Sequence, residues 1–199
     1  DNKIAWYEND GNGNFSAEQI ITTFANGARS VYAADLDNDG DIDVLSASWE
    51  DDKIAWYENN GSGNFGQQQI ITTVADGANS VYAADLDNDG DIDVLSASRL
   101  DNKIAWYEND GSGNFGIQQN ITTSVLHATD VYAADLNNDG DIDVLSASYT
   151  DDKIAWYEND GSGNFDMQQV ITTNANYAQS VYAADLDNDG DIDVLSASE

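Results

Sequence analysis

Cysteine and proline are both absent from the 199-residue sequence, and basic residues are scarce. Without cysteine the chain has neither a disulfide framework nor a thiol site. Six lysines and arginines stand against 38 aspartates and glutamates, a formal net charge of −32. This charge excludes nucleic acid as a natural partner and disfavours anionic membrane surfaces. No run of 18 apolar residues occurs, so we expect no membrane insertion.

The sequence consists of four copies of one segment, in register without insertion or deletion: residues 1–50, 51–100, 101–150 and 151–199. In 34 of the 49 columns that all four copies share, the residue is identical. A period near 50 indicates a repeat array, so we expect residues 1–199 to form a single assembly of four units. The chain starts in repeat phase, without an initiator Met or a signal peptide. We therefore expect a mature segment or part of a longer array.

Each copy is predicted to contain four short β-strands and no helix. In the second and third copies the predicted strands are 80–85, 91–98, 103–109 and 115–123, separated by turn-forming Gly and Asn residues. Four strands in about 50 residues are typical of one blade of a β-propeller. A β-solenoid is the alternative, although its coils are usually shorter. The predicted fold is therefore an all-β propeller of four near-identical four-stranded blades.

The copies begin in the middle of a blade. Residues 3–23 supply a third and a fourth strand, and residues 180–198 supply a first and a second. These terminal halves are predicted to form one composite blade, because sealing a sheet removes exposed edges. The two halves can meet within one chain or between chains, so we also expect self-association as a dimer or a head-to-tail polymer.

An acidic nine-residue string, Asp-Leu-Asp-Asn-Asp-Gly-Asp-Ile-Asp in the first copy, recurs in all four and contains half of the acidic residues. Because these residues recur among Val, Leu and Tyr, a disordered acidic tail is a poor explanation. Hard oxygen ligands around a sharp glycine turn favour calcium over magnesium, and the lack of His and Cys argues against zinc or copper. An EF-hand is excluded, because position 12 is Ser46 or its equivalent and the flanking segments are strands.

We therefore predict about one Ca²⁺ per repeat, held by side chains at positions 1, 3, 5 and 9 of each string and by the backbone carbonyl at position 7. Asn137 replaces one Asp; its amide oxygen can still ligate, with one charge fewer. The candidate metal residues are Asp35, Asp37, Asp39, Asp41 and Asp43; Asp85, Asp87, Asp89, Asp91 and Asp93; Asp135, Asn137, Asp139, Asp141 and Asp143; Asp185, Asp187, Asp189, Asp191 and Asp193.

The segment Val31-Tyr-Ala-Ala-Asp-Leu-Asp-Asn-Asp-Gly-Asp-Ile-Asp-Val-Leu resembles the calcium-loop repeat of integrin alpha-chain propellers, the FG-GAP or VCBS repeat, and it recurs along essentially the whole chain. The resemblance implies a β-propeller with one calcium in the hairpin loop between the two inner strands of each blade. It implies ligand roles for Asp35, Asp37, Asp39 and Asp43 and for the same columns in the other copies. Propellers of this family usually have seven blades, so the four copies in this sequence are too few for the usual ring.

The pattern favours a secreted or cell-surface calcium-binding scaffold of structural or adhesive function, without catalysis. His127 is the only histidine and lies in a variable column, and Ser46-Ala-Ser48 has no histidine partner. A glycan-binding module resembling fungal propeller lectins is the alternative, with Trp6 and its repeats stacking on sugars; packing between blades is the favoured role for these tryptophans. A calcium-dependent polysaccharide hydrolase or lyase is a third, weaker reading. The partner is thus an unidentified protein or glycan.

Variation among the copies is concentrated in columns 16–20, 24–30 and 49–50. In a four-stranded blade, columns 24–30 and 49–50 emerge on one face, and the acidic loop emerges on the other. Because binding residues concentrate in loops on rigid scaffolds, the variable face is the predicted partner-binding surface. Its candidate residues are Phe24, Arg29, Trp49, Arg99, His127, Tyr149 and Tyr177.

Overall fold

The computed structural model describes residues 1–199 and consists almost entirely of short antiparallel strands. A single 3-10 turn, Trp49–Asp51, is the only helical element, and no helix has the length and hydropathy needed to cross a membrane. The strands are β1 (Ile4–Trp6), β2 (Gln19–Thr22), β3 (Ala28–Ala34), β4 (Asp43–Ser48), β5 (Lys53–Tyr57), β6 (Gln69–Thr72), β7 (Ala78–Ala84), β8 (Asp93–Ser98), β9 (Lys103–Tyr107), β10 (Gln119–Thr122), β11 (Ala128–Ala134), β12 (Asp143–Ser148), β13 (Lys153–Tyr157), β14 (Gln169–Thr172), β15 (Ser180–Ala184) and β16 (Asp193–Ala197).

The strands form three four-stranded blades and two half-blades. The blades are β3–β6, β7–β10 and β11–β14, each a meander in chain order, and the half-blades are β1–β2 and β15–β16. The expected phase is confirmed, since the sequence repeat starts at the third strand of a blade. The expected composite blade is not formed within the chain, because β1 and β16 are not hydrogen-bonded to each other.

The hydrophobic core lies between adjacent blades. One cluster joins Leu36, Leu45 and Trp56 of the β3–β6 blade to Val81 and Val94 of the next. The same columns form the next cluster, between the β7–β10 and β11–β14 blades. Because each blade buries its apolar faces against its neighbours, the blades depend on one another for their core.

The innermost strands carry a row of stacked tyrosines. The rings of Tyr32, Tyr82, Tyr132 and Tyr182 follow one another with centroid separations of 4.5, 4.6 and 4.8 Å. Each inner strand is the first strand of its blade and contacts the first strand of the next blade, so this row of rings aligns the blades at their inner edges. Both variable connections of a blade lie at one end of its strands, and the acidic loop lies at the other.

Candidate functional site

The acidic string of each repeat forms the hairpin loop between the first and second strands of a blade. Two residues of the loop adopt left-handed backbone conformations, Asn38 with φ 59° and Gly40 with φ 90°. These conformations are readily adopted by Asn and Gly and turn the chain sharply. The loop amides then point inward: the Gly40 N–H donates to Asp35 Oδ2 at 3.0 Å, and the Asp41 N–H donates to Asp39 Oδ1 at 2.8 Å.

Three of the four loops bring three carboxylates together. Within each group, one oxygen atom per residue lies within 4.8 Å of the other two. The groups are Asp35, Asp37 and Asp39; Asp85, Asp87 and Asp93; and Asp185, Asp187 and Asp193. The third loop differs, since the Asn137 Nδ2 group donates to Asp139 Oδ2 at 2.8 Å, in the place where the other loops have two carboxylates.

The first position of the loop retains an oxygen without a hydrogen-bond donor. Asp35 Oδ1 and Asp85 Oδ1 are both buried and unpartnered, while the second oxygen of each carboxylate accepts a loop amide. A buried carboxylate oxygen without a partner is energetically costly unless a cation meets it. The donor set, carboxylate oxygens in a tight loop, fits a hard cation such as calcium.

Burial, and after it mutual repulsion, raises the pKa values of several loop carboxyls. Burial, followed by repulsion from Asp39, raises the pKa of Asp37. Burial and repulsion from Asp89 raise the pKa of Asp87 in the same way. Burial raises the pKa of Asp43 to about 6 and that of Asp93 to about 7, although two backbone N–H groups act in the opposite direction. A bound divalent cation would relieve both effects.

Asp43, at position 9, closes the loop against the rest of the blade. It is fully buried, its Oδ2 accepts the Leu36 N–H at 3.0 Å, and its Oδ1 accepts the Asn59 N–H at 2.8 Å. Asn59 also donates its side-chain amide to the Ile42 carbonyl at 3.0 Å. Asp43 therefore connects the loop to the third strand of its blade and keeps a second lone pair on each oxygen for a cation.

The side chain at position 7 points to the neighbouring loop. Asp91 Oδ1 accepts the Asn38 side-chain amide at 2.6 Å, and Asp141 accepts that of Asn88 at 2.7 Å. The side chain of position 7 is thus engaged in a contact between loops, and a ligand role for its backbone carbonyl stays a prediction. The bridging role of Asn38 was not predicted; its only signal in the sequence is its identity in all four copies.

The repeated tryptophans pack between blades. Trp56 and Trp106 are only 3 % exposed and meet Phe115 and Phe165 of the next blade edge-on, with 6.4 Å between ring centroids. A Cβ added at Gly113 would overlap the Trp56 ring. The adjacent Tyr57 is fully buried. These interior rings have no free face for a sugar, so the packing role explains them.

The two variable connections of each blade lie against each other, as expected. The Trp49 N–H donates to the Gly27 carbonyl at 3.0 Å, and the Arg99 N–H donates to the Gly77 carbonyl at 3.1 Å. The Arg29 guanidinium lies 5.1 Å from the centre of the Trp49 ring. The variable face thus carries ordered cation–π pairs rather than isolated side chains.

A longer stack on the same face crosses from one blade to the next. The Arg99 guanidinium lies 4.4 Å from the centre of the Tyr149 ring, and Tyr149 lies 4.9 Å from Tyr177, which is half exposed. Beside this stack, His127 Nδ1 and Thr150 Oγ1 form a hydrogen bond of 2.6 Å. The hydrogen-bond partner of the only histidine is therefore a threonine hydroxyl.

Comparison with solved structures shows the propeller-like fold. The chain superposes on a lectin from Agrocybe aegerita that recognises non-reducing terminal N-acetylglucosamine, with a TM-score of 0.63 and 20% sequence identity. The superposition covers 100% of this chain and 52% of the lectin chain. It superposes on the NanB sialidase of Streptococcus pneumoniae with a TM-score of 0.63 and 15% identity, covering 98% of this chain and 32% of that one. The chain thus spans about half and about a third of their lengths, respectively.

No curated protein matches the sequence significantly. The model of the FG-GAP-like repeat, by contrast, matches four overlapping segments, residues 1–46, 35–96, 85–146 and 135–196. These segments together include all four acidic loops and nearly every residue of the chain. The chain therefore belongs to the FG-GAP-like repeat family.

Proposed function

We propose that this chain is a secreted calcium-binding propeller segment that acts as a non-catalytic structural or adhesive scaffold, with about one Ca²⁺ per repeat. The observation that carries the proposal is the buried, unpartnered Oδ1 of Asp35 and of Asp85 within loops of clustered carboxylates. Extracellular calcium modules bind at about 10⁻⁴–10⁻³ M, which suits a secreted protein.

The proposed calcium ions stabilise the scaffold at two levels. Within a loop, the cation neutralises carboxylates whose mutual repulsion opposes the turn. Between loops, the Asn38–Asp91 hydrogen bond joins each site to the next blade, so an ordered loop also orders its neighbour. An adhesive surface gains from this, because binding residues keep their positions only on a rigid support.

The number of bound ions tests the proposal directly. Equilibrium dialysis with ⁴⁵Ca²⁺ should give about four calcium ions per chain, and Asp85→Asn should remove about one of them. Asp91→Asn is the matched control, since it changes the charge equally in the same loop and still offers an oxygen to Asn38. A wild-type chain that binds no calcium at millimolar concentration contradicts the proposal. Equal losses in both variants contradict the assigned ligand roles.

Glycan binding is the second candidate function, and the Arg99–Tyr149–Tyr177 stack favours it. The exposed Tyr177 ring and the partly buried Tyr149 ring beside a guanidinium suit the faces and hydroxyl groups of a sugar, and the similar Agrocybe aegerita fold is that of a lectin. The interior tryptophans are too buried for this role. A glycan array with calcium present distinguishes the two functions: saturable binding that is lost in Tyr149→Ala supports the lectin, and an array without signal supports the scaffold.

The absence of catalysis is likewise part of the proposal. Ser46 is buried in β4 beside the Tyr57 hydroxyl, and His127 lies beside Thr150 on the connection between β10 and β11, so the two do not form a nucleophile and base. We expect no turnover of polysaccharides with or without calcium. Release of reducing ends that disappears in a Ca²⁺-site variant would support an enzyme instead.

A further inference from the structure

The two ends of the chain expose apolar side chains whose equivalents are buried in the complete interfaces between blades. Val31 on β3 is 57 % exposed, whereas its equivalents Val81 and Val131 are 4 % and 2 % exposed. At the other end, Leu186 and Leu195 are 56 % and 40 % exposed. Their equivalents in the preceding repeats are at most 1 % exposed where they lie in complete interfaces: Leu36, Leu45, Leu86, Leu95 and Leu145.

The interior interfaces show which residues belong together. Leu36 and Leu45 of one blade share a core with Val81 and Val94 of the next. The N-terminal face lines an apolar pocket of about 470 Å³, and its Val31 and Val44 occupy the columns of Val81 and Val94. Its other residues are Ile4, Ala5, Trp6, Ile21, Tyr32 and Ala33. The C-terminal face consists of Leu186 and Leu195. These two residues occupy the columns of Leu36 and Leu45, which pack against the equivalent valines in the interior interface.

The backbone edges are complementary as well. In each complete blade the second strand pairs with the third, with Leu45 opposite Trp56 in the first blade. β16 and β1 are a second and a third strand whose corresponding edges are unpaired. β1 extends over three residues, where the third strands of complete blades extend over five. Pairing in the same register places Leu195 opposite Trp6.

A polar link is also divided between the two faces. Each interior loop donates a hydrogen bond from its Asn to the next loop, as Asn88 does to Asp141. The Asn188 amide at the C-terminal face and the Asp41 carboxylate at the N-terminal face lack this bond. One face therefore has an unused donor, and the other has the matching acceptor.

We propose that the C-terminal face of one copy of this chain docks on the N-terminal face of a second copy, with β16 and β1 completing a four-stranded blade between them. A second copy fits better than an unrelated partner, because each apolar, backbone and polar feature of one face finds its complement on the other. The chain also contains three interfaces built from these same columns. The charge of −32 on each copy opposes docking, so association strengthens with salt and with bound calcium.

Disulfide trapping tests the docking and its register. The chain has no cysteine, so introduced thiols have no competitors. Ser46 lies opposite Ala55 inside the chain, and the equivalent pair across the proposed junction is Ser196 and Ala5. Mixing Ser196→Cys with Ala5→Cys under mild oxidation should give a crosslinked species of twice the 21.5 kDa chain mass. Ser46→Cys/Ala55→Cys is the geometric control, since opposed Cβ atoms must approach to about 3.5–4.5 Å.

Three results would overturn the proposal. In the first, the geometric control oxidises and the mixture stays monomeric. In the second, Ile4→Cys, one residue out of register, crosslinks to Ser196→Cys as efficiently as Ala5→Cys does. In the third, the double variant Ala5→Cys/Ser196→Cys forms its disulfide only within one chain at every dilution, which means that the chain closes on itself.

Sedimentation of variants without cysteine gives an independent measurement. The wild type should associate with rising concentration, and Val31→Asp or Leu195→Asp should raise the dissociation constant at least about tenfold, because a carboxylate would enter an apolar interface. Both positions are exposed in the single chain, so the variants should fold. Ile117→Asp, at a residue 88 % exposed before β10, is the matched control and should associate like the wild type. A monomeric wild type, or equal weakening by all three variants, refutes the docking.

Discussion

Replacing Gly113 by alanine tests whether the repeated tryptophans hold neighbouring blades together. Gly113 has φ +71°, and a Cβ at this position would lie 2.7 Å from Cη2 of Trp56. The left-handed backbone alone costs an alanine about 1–2 kcal/mol. Overpacking against a ring that is 3 % exposed adds about 1–3 kcal/mol. We therefore expect a loss of about 2–5 kcal/mol in the free energy of unfolding.

Gly13 supplies the matched control, because it occupies the same column with φ +84° and has no atom within 4 Å of an added Cβ. Gly13→Ala should cost the backbone contribution alone, about 1–2 kcal/mol. In a chain of this size the difference corresponds to a melting temperature lower by about 2–12 °C for Gly113→Ala. Thermal unfolding at high dilution, followed by circular dichroism, measures it. Equal melting temperatures for the two variants would refute packing by Trp56.

Three further results are expected. Removing calcium from a 1 mM solution should cost about 0.4–1.4 kcal/mol per site, hence about 2–6 kcal/mol for four sites and a fall in melting temperature of about 4–24 °C; an unchanged temperature contradicts the metal sites. In metal-free protein, the raised pKa values of Asp43 and Asp93 should make stability greatest near pH 4 and lower as the pH rises to about 7, and calcium should flatten this profile in pH-dependent melting curves. Replacing Trp49, Arg99 and Tyr149 together by Ala should abolish partner binding and leave calcium-dependent melting intact; full binding would place the partner elsewhere.

The strand order of each blade was predictable from the sequence, and the strand lengths were less so. Alternating β-formers between Gly- and Asn-rich turns identified all four strands, and the third began at Lys103 as predicted. The fourth was expected from Phe115 but begins at Gln119. Phe115 forms only an isolated bridge with Asn109, and the pairing register then shifts between Asn120 and Thr122. Residue propensity does not indicate such an interruption, because it depends on pairing with the third strand.

The composition of the acidic loop was predictable, and its links to other strands were not. Spacing of Asp and Gly indicated a cation site at Asp35, Asp37 and Asp39, which the fold does bring together. The bridges from Asn38 to Asp91 and from Asn59 to Ile42 join residues 53 and 17 positions apart. The first bridge joins two blades and the second lies within one blade, and a linear residue pattern does not indicate which side chains the folded loops bring within hydrogen-bond distance.

The acidic-loop face is nearly identical in all copies and the variable face is not, and the hydrogen bonds that fix the loops of each face explain this difference. On the acidic-loop face, side chains make the connections: Asn38 donates to Asp91, and Asp43 accepts backbone amides from two segments. A change at either position therefore leaves a partner unsatisfied in the same or the next blade. On the variable face, the Trp49 N–H donates to the Gly27 carbonyl through backbone atoms, and side-chain hydrogen bonds such as that from Asn26 to Asp51 add to this contact. Because the backbone bonds do not depend on the side chain, residues such as those in columns 49 and 50 can differ between copies while the two connections stay in contact.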